Sequence, residues 1–246
     1  LKSFSMNKKK SIIRTHDRLY LKENRYNKPK EMFKFIEKIA FKNKKNNELV
    51  CDIGCAAGEF LYFLKRKHPN NILTGVDVRT DLLLKAKRKL PKIQFLKGSV
   101  TKKNLFKENS FNKIFLIGVH PIFDNFEPCF ANVIKWTKKK GNIFICDLMN
   151  PFPVDVLIKY KLTKNYKSNK FESGWNIFSR ESISLFLKKN KKVKSFKFYN
   201  FEMPFDLKKQ KDPIRSWTFK TNKNQRLMFN GLCVVQNQTL LSIKLK

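Results

Sequence analysis

Two apolar runs constrain this chain more than any other feature. Leu49-Val50-Cys51-Asp52-Ile53 leads directly into Gly54-Cys55-Ala56-Ala57-Gly58 and a stretch of helical spacing from Glu59 to Lys67, and a second run closes on Gly75-Val76-Asp77. The order reads as strand, glycine turn, helix and a second strand ending in an acid, which is the start of an open α/β sheet. At such a turn the backbone can approach a ligand, the helix N-terminus offers free N–H groups, and the later carboxylate can accept ribose hydroxyls. The glycines fall as Gly54-x-x-x-Gly58, so G-x-G-x-x-G is not met, and no Gly-Lys-Ser/Thr closes a phosphate loop. Both absences argue against a pyrophosphate cofactor.

Asp52 sharpens the reading. A carboxylate at the mouth of strand one repels polyphosphate and suits a ligand carrying an ammonium and a sulfonium. S-adenosylmethionine is such a ligand. Asp52, Gly54 and Gly58 form D-x-G-x-x-x-G, which resembles motif I of the class I S-adenosylmethionine-dependent methyltransferases. Asp77 follows Asp52 by 25 positions, near the roughly 20 expected of a ribose-binding acid. The resemblance covers about residues 48–147. It implies a three-layer, Rossmann-like α/β fold with a seven-stranded, mostly parallel sheet whose last strand is reversed. It also implies a cofactor site made of Asp52, Gly54, Cys55, Ala56, Gly58, Asp77, Val78, Ser99, Val100 and Gly118.

The rest of the chain fits that frame. Residues 1–47 read as a basic N-terminal segment with an amphipathic helix over Glu31 to Ala40, a candidate lid, and Met6 reads as a natural start. Residues 48–246 form the methyltransferase-like domain. Helices are expected over 81–90, where Pro91 stops the turn, and over 128–138 and 181–190, with Ser179 as a cap. Strands are expected at 93–100 with its exit loop, 113–118, 142–146, 193–199 and 239–243. Two elaborations, 150–178 and 200–237, fall on the carboxyl edge of the sheet, so the acceptor pocket is placed between them. The second carries a hairpin over 216–220 and 225–229.

His120 follows strand four beside the glycine turn and is the candidate general base, with Asp124 as its candidate partner. His16 and His68 read as surface residues. Asn150, Trp175, Arg180, Arg215 and Trp217 are candidate acceptor contacts, the rings to stack and the arginines to hold an anionic group. Asp147 ends strand five near the same pocket. No metal site is expected. The five cysteines, Cys51, Cys55, Cys129, Cys146 and Cys233, are odd in number, show no C-x-x-C pairing and read as reduced thiols of a cytoplasmic protein.

The net charge is +35, from 54 Lys+Arg against 19 Asp+Glu. Such an excess attracts nucleic acid or acidic partners. The excess is almost all lysine, scattered from Lys8 to Lys246, whereas specific phosphate or base recognition more often uses arginine's fork. The loop after strand four reads Gly118-Val119-His120-Pro121 and lacks the Asn/Asp-Pro-Pro-aromatic signature of many nucleic-acid amino-methylating members of the resembled family. RNA methylation therefore ranks second, and a basic nucleic-acid-binding protein with a vestigial cofactor site third, because Asp52, Gly54, Gly58 and Asp77 all remain. The leading expectation is methyl transfer to an oxygen or nitrogen of a small, anionic acceptor. The pattern also resembles small bacterial methyltransferases of surface-glycan and small-metabolite modification, which implies a sugar, sugar nucleotide or glycan precursor. No run of roughly 18 apolar residues marks a membrane span.

Overall fold

Alternation of side chains along the central strands builds the molecule from the middle outwards. The computed structural model describes residues 15–43 and 45–246. Seven strands form the main sheet: β1 Leu49–Ile53, β2 Ile72–Asp77, β3 Gln94–Lys97, β4 Phe111–Ile117, β5 Thr137–Asn150, β6 Val193–Asn200 and β7 Gln238–Leu245. They lie in the order β3-β2-β1-β4-β5-β7-β6, with the two-residue strand Phe178–Ser179 added parallel to the end of β5. The first five pair in parallel, and β7 runs antiparallel to both β5 and β6. This is the Rossmann-like methyltransferase topology with one reversed strand.

Period-two alternation sends Ile114, Leu116, Ile143 and Ile145 to one face and Phe115, Phe144 and Cys146 to the other, and both faces are buried. One face is covered by α4 Glu127–Trp136 and α5 Arg180–Lys189, which contribute Phe130, Val133, Ile183 and Leu187. The other is covered by α1 Glu31–Ala40 and α2 Glu59–Lys67 through Phe33, Ile36, Phe60 and Leu64. A further helix, α3 Thr80–Lys89, turns Leu83 inwards and ends just before Pro91. Ser179 caps α5, its hydroxyl accepting from the Ser182 N–H at 2.9 Å.

Most expected elements stand within a few residues of their sequence positions, including the hairpin of Trp217–Lys220 and Arg226–Phe229. Strand five is longer than expected. Its first residue pairs with Phe111, the register then shifts, and pairing resumes at Asn142, so Lys138 to Gly141 form an irregular entry that the lysine run concealed. His68 is a correction. Its imidazole hydrogen-bonds Glu37 at 2.8 Å and stacks on Phe41 at 4.0 Å between ring centres, so it is an interior hinge pin between α2 and α1 rather than a surface residue. The side chain of His16, and Met6, lie outside the described residues. Cys51, Cys55, Cys129 and Cys146 are buried thiols, and Cys233 is exposed. Among the described residues no helix is long and apolar enough to cross a membrane.

Phe115 is fully buried and meets Phe41, Phe60 and Phe144. Phe115→Ala should therefore cost about 3–5 kcal/mol in urea unfolding, as deletion of an enclosed aromatic side chain does.

Candidate active site

The turn after β1 is held by a single carbonyl. Val76 O accepts the N–H of Gly54 at 2.7 Å and of Cys55 at 2.9 Å, which folds the turn onto the end of β2. Gly54 has φ +80°, and a Cβ there would stand 2.3 Å from Val119 Cγ2, so neither the backbone nor the space admits a side chain. Gly58 has φ +76° and precedes the first turn of α2, while Ala56, a non-glycine, is held at φ +47°. Asp77 makes that conformation possible: one carboxylate oxygen accepts the Ala56 N–H and the other the Arg79 N–H, both at 2.9 Å.

These residues line one end of a cavity of about 1490 Å³. Asp52, Gly54, Cys55, Ala56, Asp77, Val78, Ser99, Val100 and Gly118 all reach it, and Gly58 supports the turn from behind. Gly118, at φ +70°, has nothing within 4 Å of where a Cβ would stand, so the backbone after β4 is open towards the cavity. Asp52 is buried, and its Oδ1 has no hydrogen-bond partner among the described residues. Burial, and secondarily the nearby charge of Asp77, push its carboxyl up to about 8. Burial also raises Asp77, against the two N–H bonds that favour its ionised form. A buried acid with an unmatched oxygen, beside a second acid, is a site for a cation. The ammonium of S-adenosylmethionine fits Asp52, and the hydroxyls of its ribose fit Asp77.

The N-terminal segment crosses this end. Tyr26 donates its hydroxyl to Ala57 O at 2.8 Å, the Arg25 N–H donates to Glu59 at 2.7 Å, and Lys85 donates to the carbonyls of Leu21 and Glu23. Glu23 also forms ion pairs with Lys30 at 3.1 Å and with Arg215 of the late elaboration at 3.0 Å. Burial works to raise the Glu23 carboxyl, but Lys30 and Arg215 outweigh it and hold the group below the usual carboxylate range.

The remaining expected residues divide. Trp175, at φ +57° and packed on Tyr160, lines the cavity, as do Arg215 and Asp147. Trp217 packs among Phe219 and Phe229 in the hairpin, away from the cavity wall. Arg180 hydrogen-bonds Asn200 and Thr239 and lies over the Phe198 ring, so it braces β6 and β7. Asn150 accepts the Phe152 N–H and donates to Val154 O, an Asx turn of the kind its residue type favours. His120 is fully buried between Phe130 and Phe178 and is not part of the cavity wall. Its Nδ1 pairs with Asp147 at 2.8 Å, and the same carboxylate oxygen accepts the Val119 N–H at 3.1 Å. Asp124 is not its partner; that carboxylate binds Lys159, Ser173 and Asn176. Sequence reasoning missed the wall formed by Phe201, Met203, Phe205 and Leu207, although their alternation with Glu202, Pro204 and Asp206 was a visible signal. Among the described residues no cluster of three His, Cys, Asp or Glu is placed to hold a metal.

Comparison with known proteins gives the family and the fold. The family model described as "Methyltransferase domain" matches residues 44–211. No curated protein matches the sequence. Among solved structures the fold is similar to PH0226 from Pyrococcus horikoshii OT3, with a TM-score of 0.59 and 14% identity over 93% of this chain and 99% of that one. It is similar to the YcgJ protein of Bacillus subtilis, at 0.58 and 12% over 88% and 98%. A third, phosphoethanolamine N-methyltransferase 2 of Haemonchus contortus, was solved with phosphomonomethylethanolamine and S-adenosylhomocysteine; it matches at 0.53 and 17% over 70% of this chain and 39% of that one.

The Asp52 carboxyl gives a signed expectation for the ligand-free protein. Its folded pKa lies above the unfolded value, so the folded state holds a proton that the unfolded state releases, and stability falls as pH rises from about 4 to about 8. Melting curves should show Asp52→Asn gaining on the parent protein as pH rises through that window, with the two closest at its acid end.

Proposed function

Because the chain belongs to the methyltransferase-domain family and is an S-adenosylmethionine-dependent methyltransferase, we propose that it methylates an oxygen or nitrogen of a small molecule held in the cavity between the glycine turn and the late elaborations. The observation that carries this reading is the cavity's continuity. One wall holds Asp52, Asp77 and Gly118, and the same space extends to Trp175, Ile214 and Met228, far more room than the donor fills. S-adenosylmethionine supplies an electrophilic methyl group when bound. Asp52 would face its ammonium, Asp77 its ribose, and the open backbone at Gly118 leaves the acceptor a path to the methyl carbon.

Acceleration then comes from positioning and from exclusion of water. Segments 15–30 and 200–237 cover the donor and acceptor ends, and we assign them as lids on that basis. His120 has no edge on the cavity, so we assign it a positioning role: with Asp147 it ties the loop after β4 to the end of β5, where Val119 supports Gly54. The sugar or glycan acceptor implied by sequence resemblance is not supported by the comparisons, and phosphomonomethylethanolamine belongs to the Haemonchus enzyme.

Calorimetry should show S-adenosylhomocysteine binding that Asp77→Ala weakens at least tenfold; undiminished affinity would overturn the ribose assignment. Labelled methyl transfer should appear in small-molecule extracts, and label confined to RNA would replace this reading with RNA methylation. For His120, the Gln variant should lose thermal stability while keeping the shape of the parent's pH–rate profile. Loss of the acid-side limb in that profile would instead make His120 the base.

A further inference from the structure

One stretch of the cavity lining is a run of alternate apolar residues, with Gln210, Arg215 and Ser216 further along the same elaboration. Phe201, Met203, Phe205 and Leu207 form this run, while the alternate residues Glu202, Pro204, Asp206 and Lys208 point away and are exposed. At about 3.3 Å per residue this segment makes a wall of up to about 20 Å. Phe205 remains half exposed although it faces the cavity. The wall is built, not draped. The Phe201 N–H donates to Gln238 O at 2.9 Å, Leu207 exchanges hydrogen bonds with Thr218 at 2.9 and 3.1 Å, and Asp206 on the outer side pairs with Lys220 and Arg226. Facing it are Ile214 and Met228. The arginine beside it, Arg215, is already engaged by Glu23.

Two polar residues, Gln238 and Asp147, stand beside each other in the cavity lining. Gln238 lines the cavity in register with Leu148, next to Asp147, and its side-chain oxygen is buried with no hydrogen-bond partner among the described residues. An acceptor hydroxyl or amine would donate to it. Resting on the methyltransferase reading above, we propose that the acceptor is an amphipathic molecule: a hydroxyl or amino head placed at Gln238, and an elongated hydrocarbon or aromatic body lying along Phe201 to Leu207. A sugar nucleotide would set part of its polar surface against these four apolar side chains, which is costly.

The test uses 4-ethyl-, 4-butyl- and 4-hexylphenol as probes, with methyl glucoside as the polar control, titrated by calorimetry into the full chain saturated with S-adenosylhomocysteine. The expected result is a dissociation constant that falls about two- to fourfold per added methylene, with methyl glucoside bound more weakly than any of the phenols. Met203→Asp should flatten the dependence on chain length, Met203→Leu should retain it, and Gln238→Leu should weaken all three phenols by a similar factor. A flat series in the parent protein, or tighter binding of methyl glucoside than of hexylphenol, overturns the inference while leaving the methyltransferase reading intact. Failure to bind S-adenosylhomocysteine at all overturns both.

Discussion

The carbonyl of Val76 is the point from which the rest of the site is organised. By accepting two consecutive N–H groups it fixes the turn after β1 against the end of β2. That contact sets Gly54 against Val119, directs Asp52 and Asp77 into one cavity and leaves the start of α2 facing a ligand. Each consequence uses a conformation that few side chains tolerate. Glycine supplies two of the left-handed positions, and at Ala56 the Asp77 carboxylate supplies a hydrogen bond instead.

The same arrangement separates two kinds of work by dielectric. At the donor end, buried carboxyls are held close together and remain partly unmatched, so the ligand-free protein carries an electrostatic penalty that a cationic ligand relieves. Ligand binding would stabilise the folded chain through its affinity, of which relief at Asp52 is one part. Along the segment from Phe201 to Leu207 the side chains that reach the cavity are apolar and the backbone is tied at both ends, so recognition against it would depend on shape and on displacement of water.

What was legible in the sequence follows from range. Strands β1, β2 and β4, the helices after them and the glycine turn are written in local periodicity and in residues with special backbone needs, so the places of Asp52, Gly54, Gly58 and Asp77 in the fold were legible one by one. His120 was placed in the correct loop but on the wrong side of it. A histidine that follows a strand has no local signal for whether its ring turns to solvent or towards Phe130 and Phe178, residues distant in the chain. Arg180 and Trp217 failed as acceptor contacts for the same reason: their partners are Asn200, Thr239 and a hairpin neighbour across the turn. The entry to β5 was hidden because its lysines carry neither a strand nor a turn pattern while still pairing through their backbone.

The Glu23–Arg215 bridge joins segments separated by most of the chain's length, and it does so across the cavity mouth. Neither segment belongs to the sheet, and each is fastened by a few hydrogen bonds and ion pairs, whereas the sheet rests on a large buried core. Release of either segment would open the cavity while leaving the sheet and its core intact. Because both side chains of the bridge are mostly shielded from solvent, salt screens this pair much less than it screens a surface pair, and the two segments would stay tied where exposed ion pairs no longer hold.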